Sequence, residues 1–140
     1  MLFLGTYEYS MDERGRVPIP PRFRDAFLTG IILTQGAPDP CIRAYPVGGF
    51  EEQATLYTKD PITKRSGRML RRSFFSGAYP AELDRQGRVL IPPPLRRFAN
   101  LASQVIVIGI GEGMEIWDGV RLEEARAREE ADLERTMESE

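Results

Sequence analysis

Residues 12–24 and 84–96 are two copies of one segment. Laid over each other at an offset of 72, they share eight of thirteen residues: Asp, Gly, Arg, Val, Ile, Pro, Pro and Arg. A chain that carries the same stretch twice is built from two like units, and this limits its possible folds more than any other feature. The match extends outward. Gly5 and Tyr7 stand opposite Gly77 and Tyr79, and Ile42 and Tyr45 stand opposite Met114 and Trp117, all at the same offset. Residues 31–33 match 105–107 best at an offset of 74, so the spacing between matched segments differs by about two residues. The chain therefore reads as a first repeat over 1–60, a basic linker helix over 61–72, a second repeat over 73–118 and a charged helical tail over 119–140.

A unit of about sixty residues buries too little surface to be secure alone, so the two repeats are expected to share one core. The charged fraction of 29% and apolar fraction of 41% are those of a soluble globular domain. The longest apolar run, 105–111, is far too short to cross a bilayer. The N-terminus lacks the basic and apolar regions of a signal peptide, and a cytoplasmic location is the expectation. The single cysteine, Cys41, has no internal disulfide partner, and the chain has no histidine. A zinc site is not expected, nor any other metal or cofactor. With no histidine, no Gly-rich phosphate loop and no evident base beside Ser76 or Thr34, no catalytic residue is assigned and the chain is not read as an enzyme. Cys41 reads as a small buried hydrophobe.

The coarse secondary structure repeats. Residues 6–11 alternate as a strand, 12–15 form a turn, and 16–19 return as a strand. Asp12 can bond its own backbone ahead, and Gly15 permits positive φ. Pro18 has no amide donor, which places that strand at an edge. Pro20 and Pro21 start a short helix over 22–28, with Phe23 and Phe27 on one face. Strands follow at 31–34 and 41–45, then a helix over 50–57. The basic linker over 63–73 reads as helical despite Gly67, which costs about 1 kcal/mol against alanine. The second repeat gives a strand over 75–83, a turn over 84–87, a strand over 88–91, a short helix through 99, and a hairpin of 104–110 with 114–117. The tail is helix-prone, but its apolar positions give no clean stripe, so a solvated or frayed helix is expected. One such unit alone has open sheet edges and one uncovered apolar face. Two copies can interlock about a pseudo-twofold axis, with both turns projecting from one side.

The formal net charge of −2 hides a polarity along the chain. Residues 118–140 hold nine acidic and four basic side chains, whereas 59–97 hold ten basic against three acidic, a net of +7. Local field, not global charge, steers a polyanion.

The opening Phe3-Leu4-Gly5-Thr6-Tyr7, both Asp-x-x-Gly-Arg turns with their Ile-Pro-Pro tails, the segment Phe74-Phe75-Ser76-Gly77-Ala78, and Glu115-Ile116-Trp117-Asp118 resemble the MraZ family of bacterial transcriptional regulators. The resemblance covers about 1–120. It implies a mostly β fold with short helices (α+β): tandem SpoVT/AbrB-like swapped-hairpin half-domains forming one barrel-like, pseudo-twofold core, here followed by a C-terminal helix. It further implies binding of double-stranded DNA at tandem repeats upstream of the division and cell wall gene cluster, which usually begins with the family member's own gene. A homo-oligomeric ring and a nucleoid-associated place in the cytoplasm go with that role. The family's DNA-binding signature falls on Asp12/Arg16 and Asp84/Arg88. A guanidinium fork suits phosphate or the O6/N7 edge of guanine, so Arg16 and Arg88 lead the candidates. Arg14 and Arg85 follow, then Lys64, Arg65 and Arg68. Asp12, Gly15, Asp84 and Gly87 are assigned to holding the turns and orienting the arginines. Two alternatives stay open: a ring-forming interaction scaffold, and an antitoxin-like module that takes a protein partner through the acidic tail.

Overall fold

A computed structural model of the chain describes residues 2–139. The first half runs β1 (Thr6–Ser10), β2 (Arg16–Pro18), a 3-10 helix (Pro21–Phe27), β3 (Ile31–Gln35), β4 (Ile42–Pro46) and α1 (Val47–Tyr57). After α2 (Arg65–Ser76) the plan returns as β5 (Tyr79–Ala81), β6 (Arg88–Leu90), α3 (Pro93–Phe98), β7 (Gln104–Gly109), β8 (Met114–Asp118) and α4 (Gly119–Glu138). In both halves a prolyl residue opens the short helix, where a missing amide proton removes no hydrogen bond.

The strands form a six-stranded antiparallel sheet in the order β1-β7-β8-β4-β3-β5 and a two-stranded ribbon of β2 with β6. Exchanging each strand for its counterpart reverses the first order onto itself, which is the signature of an internal twofold axis. The axis passes between β4 and β8, where Arg43 stands opposite Glu115, its own counterpart at offset 72. Apart from β3–β4 and β7–β8, every pairing joins one half to the other. The two-residue slip is equally visible. Tyr7 pairs with Val107 while Tyr79 pairs with Leu33, so the tyrosines differ by 72 and their partners by 74.

One face of the sheet and the inner face of the ribbon enclose the main core. Ile31, Leu33, Ile42, Ala44, Val105, Val107, Met114 and Ile116 point there by the two-residue period of a strand. Val17 and Val89 meet them from the ribbon, both fully buried. Ile19 and Ile91, just past the ribbon, donate their amides to the carbonyls of Gly87 and Gly15 in the opposite half, each at 2.9 Å. Phe23 closes one end, with Phe3 edge-on at a ring distance of 4.9 Å and Tyr7 edge-on at 5.4 Å. Both halves supply this core, so neither has a complete one alone.

The other face of the sheet is covered by helices. The α1–α2 hairpin lies over β3 and β4, and α4 lies over β7 and β8. Here several elements depart from the sequence reading. The helix expected over 61–72 occupies Arg65–Ser76, and the strand expected from 75 shrinks to Tyr79–Ala81. The cause is tertiary. Phe74 stacks on Tyr57 at 4.0 Å and on Phe50 at 5.0 Å, which keeps 74–76 helical against α1. Gly67 is also explained. A Cβ there would lie 2.0 Å from the carbonyl oxygen of Pro61, so the glycine allows α2 to pass its own entry loop. Helix α1 begins at Val47 and takes in Gly48 and Gly49. The tail is not solvated throughout. Leu122 and Ala125 of α4 are buried with Cys41, Ile106 and Trp117 in a second cluster, and the helix is exposed beyond Ala125. Asp118 starts α4 by accepting from the Arg121 amide at 3.3 Å and from the Ala102 amide at 3.1 Å, which satisfies a buried carboxylate. Burial pushes the Cys41 thiol well above its ordinary range, in keeping with a packing role. No helix among the described residues is long and apolar enough to cross a membrane.

Candidate nucleic-acid interface

The two repeated turns have the same internal wiring. In the first, Asp12 Oδ1 accepts from the amides of Arg14 at 3.0 Å and Arg16 at 2.9 Å, and Oδ2 accepts from Arg16 Nε at 2.6 Å. In the second, Asp84 Oδ1 accepts from the amides of Gln86 and Arg88, each at 2.9 Å, and Oδ2 accepts from Arg88 Nε at 2.9 Å. One carboxylate thus folds the turn with one oxygen and aims a guanidinium with the other. The backbone amide of Arg16 is the largest cause holding the Asp12 carboxyl below its ordinary range, and its guanidinium adds to this. The amide of Arg88 does the same for Asp84.

Gly15 and Gly87 sit at φ of +88° and +74°, the left-handed region that glycine enters without steric cost. They are needed for a second reason. A Cβ on Gly15 would lie 2.6 Å from Arg96 Nη1, and one on Gly87 would lie 2.2 Å from Arg24 Nε. Each turn is therefore crossed by an arginine from the short helix of the other half. Arg24 and Arg96 are counterparts at offset 72. Sequence reading did not select them; their invariance within the repeat was the available signal.

The ribbon register then sets the arrangement. Arg16 stands opposite Leu90, and Pro18 opposite Arg88. With Val17 and Val89 turned into the core, Arg16, Pro18, Arg88 and Leu90 share the outward face. Arg16 and Arg88 are diagonal neighbours on it, about 7–8 Å apart. Arg88 Nη1 also reaches Asp12 Oδ2 at 3.5 Å, linking the two turns. Arg14 and Arg85 extend from the turn tips and are exposed.

Lys64, Arg65 and Arg68 are not brought to this face. They lie at the start of α2, on the hairpin that covers the other side of the sheet. Arg68 Nη1 donates to the carbonyls of Ile62 at 3.1 Å and Thr63 at 3.3 Å, so it closes the loop entering α2.

The family model described as "MraZ protein, putative antitoxin-like" matches the chain twice, over 2–73 and 74–139. The chain belongs to the MraZ family. A relative named Transcriptional regulator MraZ from Roseiflexus castenholzii is 46% identical over 116 residues, covering 83% of this chain and 80% of the relative. Those of the same name from Nocardioides sp. and Moorella thermoacetica are 42% identical over 131 residues and 41% over 123, covering 94% and 88% of this chain and 90% and 85% of the relatives. The named MraZ relatives are thus transcriptional regulators, which are not an enzyme class. The second MraZ match takes in α4, which lies outside the resemblance legible in the sequence. The fold agrees. Helix α4 begins at Gly119 and α1 at Val47, 72 residues earlier, so each MraZ repeat carries a helix at the same place over the outer face of the sheet.

Proposed function

We propose that the protein is a sequence-specific DNA-binding regulator of transcription that acts at tandem repeats upstream of the division and cell wall gene cluster, its own promoter included. The observation that carries this reading is the shared outward face of the β2–β6 ribbon, which presents Arg16 and Arg88 about two base-pair steps apart. A two-stranded ribbon has the width that the major groove of B-DNA admits. Each arginine is aimed by an aspartate but remains partly exposed. Ion pairs that face solvent contribute little, so a guanidinium can exchange its carboxylate for a phosphate or guanine edge at small cost. Oδ1 of each aspartate keeps the turn folded during that exchange. Arg14 and Arg85 add phosphate contacts at the tips. The turns are unequal, because Glu13 and Arg14 stand where the second turn has Arg85 and Gln86.

The protein works as a homo-oligomer, a ring presenting several ribbons to tandem sites. Later contacts then become intramolecular, and avidity rises without new chemistry. The exposed Leu56, Ile62, Met69, Leu70 and Phe75 on and beside the α1–α2 hairpin support this, since they form apolar surface for a neighbouring copy to cover. Action on the nucleoid in the cytoplasm follows from the same reading.

The test is a mobility-shift titration on the DNA upstream of the protein's own gene, at two salt concentrations and against scrambled DNA. Wild type shifts the upstream DNA preferentially and weakens steeply with salt, while Arg16→Ala and Arg88→Ala each lose that preference with oligomerisation intact. Absence of a specific shift by folded wild type removes the DNA-binding reading and leaves the interaction-scaffold reading.

A further inference from the structure

The two turns are equivalent in fold, but the clefts beside them are not equivalent in charge. Beside the first turn, Met11, Arg96, Arg97, Asn100 and Arg121 line an open cleft between α3 and the start of α4. Three of these carry positive charge, and no carboxylate lines the cleft among the described residues. At offset 72 their counterparts are Arg24 for Arg96, Asp25 for Arg97 and Gly49 for Arg121. The same three places thus hold a charge of +3 in one half and zero in the other. The cleft beside the second turn sets Glu82 and Asp84 against Arg24 and Arg85, so its charged lining balances to zero.

Within the first cleft the cations differ in their engagement. Arg96 crosses Gly15 directly, and its Nε is buried without an acceptor. Arg97 is exposed. Arg121 pairs at 3.2 Å with Glu124, one turn further along α4, through an exposed contact that is weak in water. A polyanion passing the first turn would meet three guanidinium groups and offer Arg96 and Arg97 acceptors.

We infer that the phosphate backbone of duplex DNA, after meeting the ribbon, continues over the Arg96/Arg97/Arg121 cleft on the side of the first turn. This rests on the DNA-binding reading and adds a direction to it. The first turn then binds through its flank as well as through Arg14 at its tip, whereas the second, with Arg85 in place of Glu13, binds through its tip alone. A pseudo-twofold protein then lies on DNA in one orientation, in place of the two equivalent orientations that a symmetric ribbon would allow.

The test uses the full chain in its native oligomeric state. Arg97→Ala/Arg121→Ala is compared with wild type and with Arg126→Ala/Arg128→Ala, which removes the same charge further along α4. Binding to the upstream DNA and to scrambled DNA is measured across a salt series. Two lost phosphate contacts lower the slope of log affinity against log salt by about 1.8 and weaken both DNAs by a similar factor. The Arg126/Arg128 variant keeps the wild-type slope. A wild-type slope in Arg97→Ala/Arg121→Ala overturns the cleft inference and leaves the ribbon reading intact. An equal loss in both variants overturns it too, because net charge then suffices. Loss of all DNA binding by wild type removes the ribbon reading itself. Arg97→Lys/Arg121→Lys, which keeps charge and packing volume, recovers the slope; failure to do so in a protein with wild-type thermal stability also counts against the inference.

Discussion

Replacing Ile19 with alanine tests whether the two halves form one cooperative unit. Ile19 belongs to the first repeat, is fully buried and packs in the core beneath the ribbon. Trp117, the sole tryptophan, belongs to the second repeat and sits in the separate cluster under α4. If the repeats were beads on a string, a cavity at Ile19 would not reach the tryptophan. In this fold the Ile19 side chain packs in a core that both halves supply, and its backbone amide donates to Gly87 of the second half. Strand β8, which carries Trp117, is held between β7 and a first-half strand, β4. Truncating a fully buried isoleucine to alanine costs about 3 kcal/mol, within the range for such cavities. With a urea slope of about 2 kcal/mol/M the midpoint falls by about 1.5 M. With an unfolding entropy of about 0.3 kcal/mol/K for a chain of this length, Tm falls by about 10 °C. The assay follows tryptophan fluorescence and far-UV circular dichroism through urea and thermal unfolding at one protein concentration. Both signals shift together by the same amount. A tryptophan transition left at the wild-type midpoint while the dichroism splits into two steps would refute the shared-core argument.

Three further outcomes follow from the same geometry. Gly87→Ala and Gly15→Ala each force an L side chain into left-handed backbone, at about 1–2 kcal/mol, and displace Arg24 or Arg96; thermal melts show the loss, and a wild-type Tm in either variant would contradict it. The carboxyls of Asp12 and Asp84 titrate below the ordinary aspartate value, so their contribution to turn order is complete above the unfolded pKa of about 3.9 and is lost as pH falls through the lower folded value; amide shifts of Arg16 and Arg88 that moved with a midpoint above 4 would contradict this. Glu115→Arg places two partly buried cations together across the pseudo-twofold axis and removes the acceptor of the Trp117 indole, destabilising the chain by about 1–3 kcal/mol, and adding Arg43→Glu recovers the part of the lost Tm that the ion pair carries; a double variant no more stable than Glu115→Arg would mean that the 3.4 Å pair contributes nothing across the axis.

Much of the site could be read from the repeat. An Asp followed by Gly-Arg in both copies points to a turn whose carboxylate binds its own backbone, and the structure has that wiring at both turns. The expectation that two copies interlock also needed only sequence, because a single unit leaves open edges and one bare face. Arg24 and Arg96 were harder to recognise. Nothing in their own neighbourhood distinguishes them from solvated helix arginines, and only the crossing of the halves brings each against the other half's glycine. Lys64, Arg65 and Arg68 show the converse. Their local density suggested a nucleic-acid surface, but sequence proximity to the second repeat did not place them near its turn.

The sequence by itself determined the periodic part of this protein: two copies of a strand–turn–strand–helix plan, a slip of two residues between them, and turns that need glycine. These follow from local rules of backbone conformation and from the repeat. Only the tertiary structure decided which face each element covers. The end of α2 stays helical because Phe74 finds Tyr57 and Phe50, α4 gains a buried first stretch because the outer face of β7 and β8 needs covering, and three arginines from α3 and α4 converge beside one turn but not the other. Each of these depends on side chains far apart in the chain. Their meeting is set by packing, and no local propensity encodes it.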